Sequence, residues 1–355
     1  MNNNHLQNSI AVSVLLMTAL FTLPLAAIAP FRPAPEPPEA PITTPAQDPN
    51  EAPPPAPFVS GTLDKDIPLR VLDNGAVREM DLGTYLVGVV RAEMPASFPL
   101  EALKAQATAA RTYTLYKLIS GGSHGDTAHI CTDSTCCQAY IDEDRARANW
   151  GEDANAYEEK IRQAVLQTDG QAILYNGAPI LAVFHSSSAG LTRAAGQVWQ
   201  NDLPYLQAVE SPEPNDRIPN YYSRADFTPA DFRTRFLASH PEANLSGSPT
   251  QWLTNPTTDS AGSVLTVTVG GVTIRGTQLR TILGLRSACF TWEATEKTIS
   301  FYVTGYGHGV GMSQYGAKQM ADSGADFREI LTHYYTGVTV GAVPAYGGPP
   351  AAYFS

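Results

Sequence analysis

Twelve of the 28 residues from Pro30 to Pro57 are proline. Proline removes a backbone donor and fixes φ, so this stretch cannot join a sheet or run as a packed helix. It reads as a polyproline-rich, semi-rigid spacer. Any fold must therefore lie on one side of it. From residue 58 onward, 15 of 298 residues are proline, close to the ~5% of an average chain. That region has room for a sizeable core, and we read it as the globular part.

Residues 1–29 contain no Asp, Glu, Lys or Arg. Ile10–Ala29 is 20 uncharged residues, and at about 1.5 Å per residue a helix of that length crosses a hydrocarbon core of about 30 Å. We expect an uncleaved membrane anchor. The alternatives are a cleaved secretory signal, for which Ala27-Ile28-Ala29 would be the cleavage site, and a buried core helix. The start lacks Lys and Arg, and Pro30 would follow the cut, which favours the anchor. Either of the first two readings exports the rest of the chain.

The formal charge is −11, from 34 acids and 23 bases. A phosphate backbone asks for a basic face, so nucleic acid is not an expected partner. Four cysteines in 355 residues are too few for a disulfide scaffold.

Within the globular part, Ile67–Leu72 and Ala76–Met80 flank Asp73-Asn74-Gly75, a hairpin signal. Asp81 suits the cap of a helix over Leu82–Glu93, ended by Pro95. A second helix starts near Pro99 and runs to about Leu118. Leu100, Leu103, Ala107, Ala110, Thr114 and Leu118 fall on one arc of it, the expected core face. Lys104 and Arg111 share the edge of that arc. Further expected elements are a helix over Ala156–Thr168, a hairpin over 171–175 and 179–185, a helix over Pro229–Leu237, and a hairpin over 263–269 and 272–275. A helix over Thr277–Leu283, a strand over Lys297–Thr304, and helices over Ser313–Asp322 and Asp326–Tyr334 follow. Residues 211–260 read as loop-rich. Mixed helices and hairpins make the class α+β. The expected organisation is 1–29 anchor, 30–57 linker, 58–340 folded domain with a smaller β-rich subdomain inserted at about 220–295, and 341–355 tail.

Four segments could carry chemistry. In Arg91-Ala92-Glu93-Met94-Pro95, Glu93 ends a helix in an apolar setting. The helix dipole and burial both disfavour its anion, which suits a general acid; the plain alternative is a surface glutamate. In Phe184–Gly190, His185 is followed by Ser186 and Ser187. A Ser/His hydrolase using His185 and Ser187 lacks the nucleophile-elbow spacing, and adjacent strand residues point to opposite faces. In Gly305–Ala317, alternate glycines allow close backbone approach. Ser313 and Gln314 stand at a helix N-terminus, where sugar hydroxyls could bind, and His308 would be a structural donor. In His124–Cys137, Cys131, Cys136 and Cys137 with His124 or His129 give four N/S donors suited to zinc; a Cys131–Cys137 disulfide or free thiols are the alternatives. Cys289 reads as a core residue.

Together these stretches resemble the SpoIID/LytB family. The matching segments are VVRAEMPASFPLEALKAQATAARTYTL (89–115), CTDSTCCQAY (131–140), FHSSSAGLTRAAGQVWQNDLPYLQAV (184–209), VTIRGTQLRTILGLRS (272–287) and GYGHGVGMSQYGAKQMADSGADFREILTHYYTGV (305–338). The resemblance implies a peptidoglycan lytic transglycosylase acting on glycan strands stripped of stem peptides. It places the catalytic acid on Glu93 and substrate contacts on Lys104, Arg111, Ser186, Ser187, Ser313, Gln314 and Tyr315. It also implies a structural zinc, Cys131 and Cys137 matching the ligands of members that hold one; the expected set is His124, Cys131, Cys136 and Cys137. Cys136 stands where a His is more usual, and Ala189-Gly190 where Gly-Gly is. The implied setting is a domain facing the cell wall, acting in sporulation beside an amidase of the SpoIIP type. A non-catalytic glycan-binding enhancer of such an amidase is the alternative.

Overall fold

The computed structural model describes residues 58–343 except 200, 215 and 216. The expected anchor at 1–29, the linker at 30–57 and all but the first three residues of the tail lie outside the described residues. Among the described residues, no helix is long and apolar enough to cross a membrane.

The first hairpin pairs Pro68–Asp73 with Ala76–Asp81 in antiparallel register. Its turn places Asn74 at φ 47° and Gly75 at φ 85°. Two consecutive positive φ values make the tight turn that Asn-Gly allows and most other pairs resist. Ile130–Cys131 adds in parallel to the same sheet. Asp81 then caps the helix Leu82–Glu93 by accepting from the Thr84 N–H at 2.9 Å.

The helix Leu100–Ile119 is the centre of the molecule's first half. Every residue from Ala102 to Leu115 except Lys104 is buried. The helices Leu82–Glu93, Ala154–Leu166, Gln314–Asp322 and Phe327–Tyr334 and the strand Gln171–Tyr175 all pack on it. The single core arc expected from the apolar spacing is therefore corrected. Leu100 and Leu118, at the ends of that arc, are only half-buried, while Ala105 and Ala109 on the other side sit in a core of their own. A helix surrounded on all sides has no solvent face to mark with polar residues. Its many alanines instead let neighbours approach closely.

Gln171–Tyr175 is followed by a very short return strand, Ala178–Pro179, and also pairs with Thr339–Ala342. The expected long return strand to residue 185 is broken. Phe184–His185 instead runs parallel to Met312–Ser313, joining two segments that are far apart in sequence.

A second hydrophobic core gathers residues from Phe227 to Val303. It contains two antiparallel three-stranded sheets. One orders Val272–Arg275, Val264–Val269 and Leu253–Thr258; the other orders Phe290–Ala294, Ile299–Thr304 and Tyr222–Phe227. The helices Pro229–Ser239 and Gly276–Leu283 accompany them. Its strand Ile299–Thr304 lies past residue 295. Tyr222–Phe227 and Leu253–Thr258 fall in the stretch read as loop-rich. Pro256 hides the latter from a strand pattern; it is tolerated because this strand is an edge and its register slips between Thr254 and Thr257. The fold is α+β, as expected.

Candidate active site

Glu93 is the last residue of its helix, where the unpaired carbonyls disfavour an anion. Its Oε1 accepts the Ala139 N–H at 2.6 Å. Burial pushes its carboxyl above the ordinary value, and hydrogen bonds from the Ala139 backbone and the Gln314 side chain act against that rise. Among the described residues no cation pairs with it. Arg91, two residues earlier, is bound to Glu158 by Nε at 2.8 Å and by Nη2 at 2.5 Å.

Two cavities of about 560 and 540 Å³ open on either side of Glu93 and share Glu93, Ser134, Phe184, His185 and Gly307. They form one groove with the carboxyl in its middle, in the size range of sites that take small ligands. Glu93 is the only acidic side chain lining it among the described residues. Ser186, Gln314 and Tyr315 line the first lobe with Trp150 and Tyr306. The Tyr315 ring is held edge-on by Phe98 at 5.1 Å.

The glycine-rich segment forms the floor. Gly307 has φ 118°, and a Cβ there would stand 2.7 Å from the Cβ of His185. Only glycine lets this loop lie against the His185 strand. His185 Nδ1 donates to the Val310 carbonyl at 3.1 Å, and His308 Nδ1 accepts from the Val310 N–H at 3.1 Å. Burial holds both imidazoles neutral, His185 down at about 3 and His308 at about 4. His308 is thus structural, accepting the Val310 N–H and also donating to the Phe184 backbone, as expected of a donor within the loop. No hydrogen bond joins His185 to Ser187, whose buried hydroxyl has no partner among the described residues. The pair is not arranged as a nucleophile and its base.

Four expected substrate contacts sit elsewhere. Arg111 is fully buried; its Nε and Nη2 donate to Asp64 at 2.8 and 2.7 Å, and its other bonds go to Thr168 and the carbonyls of Gln171 and Val165. It braces the fold, and a substrate cannot reach it. Lys104 pairs with Glu101 at 2.7 Å and lies 4.8 Å over the Phe327 ring, away from the groove. Ser313 is buried. It caps its helix at the Gly316 N–H and donates to Glu213 Oε1 at 2.6 Å. The same oxygen takes Ser188 N and Oγ and Ser211 Oγ. Ser187 also lies off the groove, its backbone paired with Tyr306. Asp64, Ala139, Glu158 and Glu213 escaped sequence reasoning. Each acts on a partner at least 25 positions away, and no local pattern marks them. Tyr306 sat within the glycine-rich segment, which was the one available signal.

His124, Cys131, Cys136 and Cys137 bring four donor atoms within 4.8 Å of one another. Cys136 Sγ lies 3.7 Å from His124 Nε2 and 3.6 Å from Cys137 Sγ. Tetrahedral zinc, with Zn–S about 2.3 Å, needs ligands about 3.8 Å apart, so this set fits a metal. The four cysteines are free thiols. Burial raises the Cys131 thiol to about 12 and raises Cys136 as well, so a metal would have to displace their protons. His129 is not of the set; its Nδ1 accepts from the Arg70 N–H at 3.1 Å. Cys136 and Cys137 wall the second lobe, and Ala139 follows two residues later.

A family model described as a stage II sporulation protein matches residues 73–175. The chain is 35% identical over 281 residues to stage II sporulation protein D of Bacillus subtilis (strain 168), covering 79% of this chain and 80% of that protein. It is 34% identical to the Bacillus amyloliquefaciens protein of that name, with the same coverage. It is also 32% identical over 303 residues to the amidase enhancer of Bacillus subtilis (strain 168), covering 72% of this chain and 40% of that protein.

Proposed function

The chain belongs to the family of stage II sporulation protein D, and from that premise we propose that it is a cell-wall enzyme of sporulation: a peptidoglycan lytic transglycosylase that cuts stem-free glycan between N-acetylmuramic acid and N-acetylglucosamine. The observation that carries this reading is Glu93, a lone carboxyl with a raised pKa in the middle of an open groove. Hydrolases of the usual kind need two carboxylates to handle water or form a covalent intermediate. A lytic enzyme needs one. Protonated Glu93 gives its proton to the glycosidic oxygen as the bond to C1 breaks. The resulting carboxylate takes the proton of the muramic C6 hydroxyl, whose oxygen closes on C1. A 1,6-anhydro ring forms, no water is consumed, and Glu93 ends as it began. The Ala139 N–H holds one carboxyl oxygen and so orients the acid in the groove.

We further propose that zinc occupies the His124, Cys131, Cys136 and Cys137 set. With four protein ligands it has no position for water and is structural; it would fix the loop that presents Ala139 to Glu93. The 1–29 segment would anchor the protein in the membrane with the domain toward the wall, beside an amidase that removes stem peptides first.

Mass spectrometry of products from stem-free glycan tests the central claim. The parent should release 1,6-anhydro-muramic ends, and Glu93→Gln should lose about 10²- to 10⁴-fold in rate while still binding glycan. Equal turnover by Glu93→Gln would remove the reading. The similarity to the amidase enhancer supports a second one, a non-catalytic glycan binder that stimulates an amidase. That role should survive Glu93→Gln unchanged.

A further inference from the structure

Most cations near the groove are already engaged: Arg91 with Glu158 and Glu143, Arg193 with Asp259, and Lys318 with Asp322. Arg286 is different. Its guanidinium carbon stands 3.8 Å from the centroid of the Tyr306 ring, and Tyr306 lines the first lobe with 45% of its surface exposed. Arg286 is half-buried, its Nε is buried without a partner, and no carboxylate pairs with it among the described residues. Its charge also reaches Tyr315, another residue of that lobe: burial raises the Tyr315 phenol and Arg286 opposes the rise.

The position is fixed as well as free. The Arg286 carbonyl accepts the Gly307 N–H at 3.0 Å. On either side, Arg280 Nε donates to the Leu285 carbonyl at 3.2 Å, and Ser287 Oγ donates to the Thr304 carbonyl at 2.6 Å. A guanidinium stacked on an aromatic face keeps its N–H edge available for an anion in plane. In a chain of net charge −11, a lone cation of this kind suits a single carboxylate rather than a polyanion.

We propose that Arg286, stacked on Tyr306, binds the free lactyl carboxylate of a muramic residue in the groove and so sets the preference for stem-free strands. This assignment rests on the glycan reading above. Removing a stem peptide turns a neutral lactyl amide into an anion. A fixed guanidinium at that point gains a charge-assisted bond with the stripped strand and gains none with the strand that keeps its peptide.

The test uses the full chain carrying Glu93→Gln, so that binding is read without turnover. Two ligands are compared: a stem-free glycan oligosaccharide, and the same oligosaccharide with its lactyl acids converted to methyl amides. The acid form should bind about tenfold or more tighter. Adding Arg286→Ala should abolish that ratio while leaving amide binding unchanged, which also reports that the protein is folded. Arg286→Lys should keep part of the ratio. Lys117, which lines the second lobe, supplies the control. If Arg286→Ala weakens both ligands equally, the residue only props Tyr306, and the assignment is overturned. It is also overturned if Lys117→Ala, and not Arg286→Ala, removes the ratio. If the protein with intact Arg286 binds neither ligand, the glycan reading itself falls, and the assignment with it.

Discussion

Glu93 and Arg111 both stood out in the sequence, and their surroundings separate them. Glu93 could be read as an acid because its cause is local: a helix end and apolar neighbours. Arg111 could not be placed, because its partner Asp64 lies 47 positions back and belongs to no pattern. With Arg111 on Asp64 and Lys104 on Glu101, neither cation is there to lower the Glu93 pKa. Two neighbours do lower it: the Ala139 N–H and, after it, the Gln314 amide. A general acid works protonated, so turnover should fall as pH rises through the Glu93 pKa, which lies above the usual 4.5. Gln314→Leu removes a bond to the anion, raises that pKa further, and should shift the alkaline limb of the kcat/KM profile to higher pH. A limb that stays put or moves down would show that Gln314 does not act on Glu93. Breaking the Arg111–Asp64 pair has a different readout. Arg111→Ala leaves a buried carboxylate alone and should cost about 3–5 kcal/mol of stability in denaturant unfolding, where a surface arginine would cost almost nothing.

Among the elements, hairpins and capped helices were legible because their signals are contiguous: Asn74-Gly75 for a turn, Asp81 for a cap, Pro95 for a stop. The central helix was located well but faced wrongly, since spacing identifies an apolar stripe and cannot report neighbours on every side. The return strand after Asn176-Gly177 was overextended because Phe184–His185 finds its partner in Met312–Ser313. The loop 120–140 links two expectations made separately. It carries the four thiol and imidazole donors, and two residues later it supplies the Ala139 N–H that Glu93 accepts. Metal and acid should therefore fail together. Stripping metal from a zinc-loaded preparation with a chelator should lower both the thermal midpoint and turnover, and zinc should restore both. A chelated sample with an unchanged midpoint would argue that the set holds no structural metal.

For the whole molecule, the sequence by itself determined what depends on neighbours along the chain. It set the α+β class, most helix spans, the acid at a helix end and the cluster of cysteines. Family resemblance added the segments that belong together. Only the tertiary structure decided what depends on distant pairs. It drew Glu93, the Tyr306–Gly307 loop and Gln314 into one groove. It withdrew Arg111 and Ser313 into buried networks and left Arg286 unpaired beside the groove. It also built a second core across Phe227–Val303 from strands that included two the pattern had hidden. The reason is physical. Turns, caps and helix stripes are set by residues within a few positions of one another. A charge is harmless, bracing or available according to the counter-charge that folding brings to it, and for Arg111 and Arg91 those counter-charges come from far along the sequence.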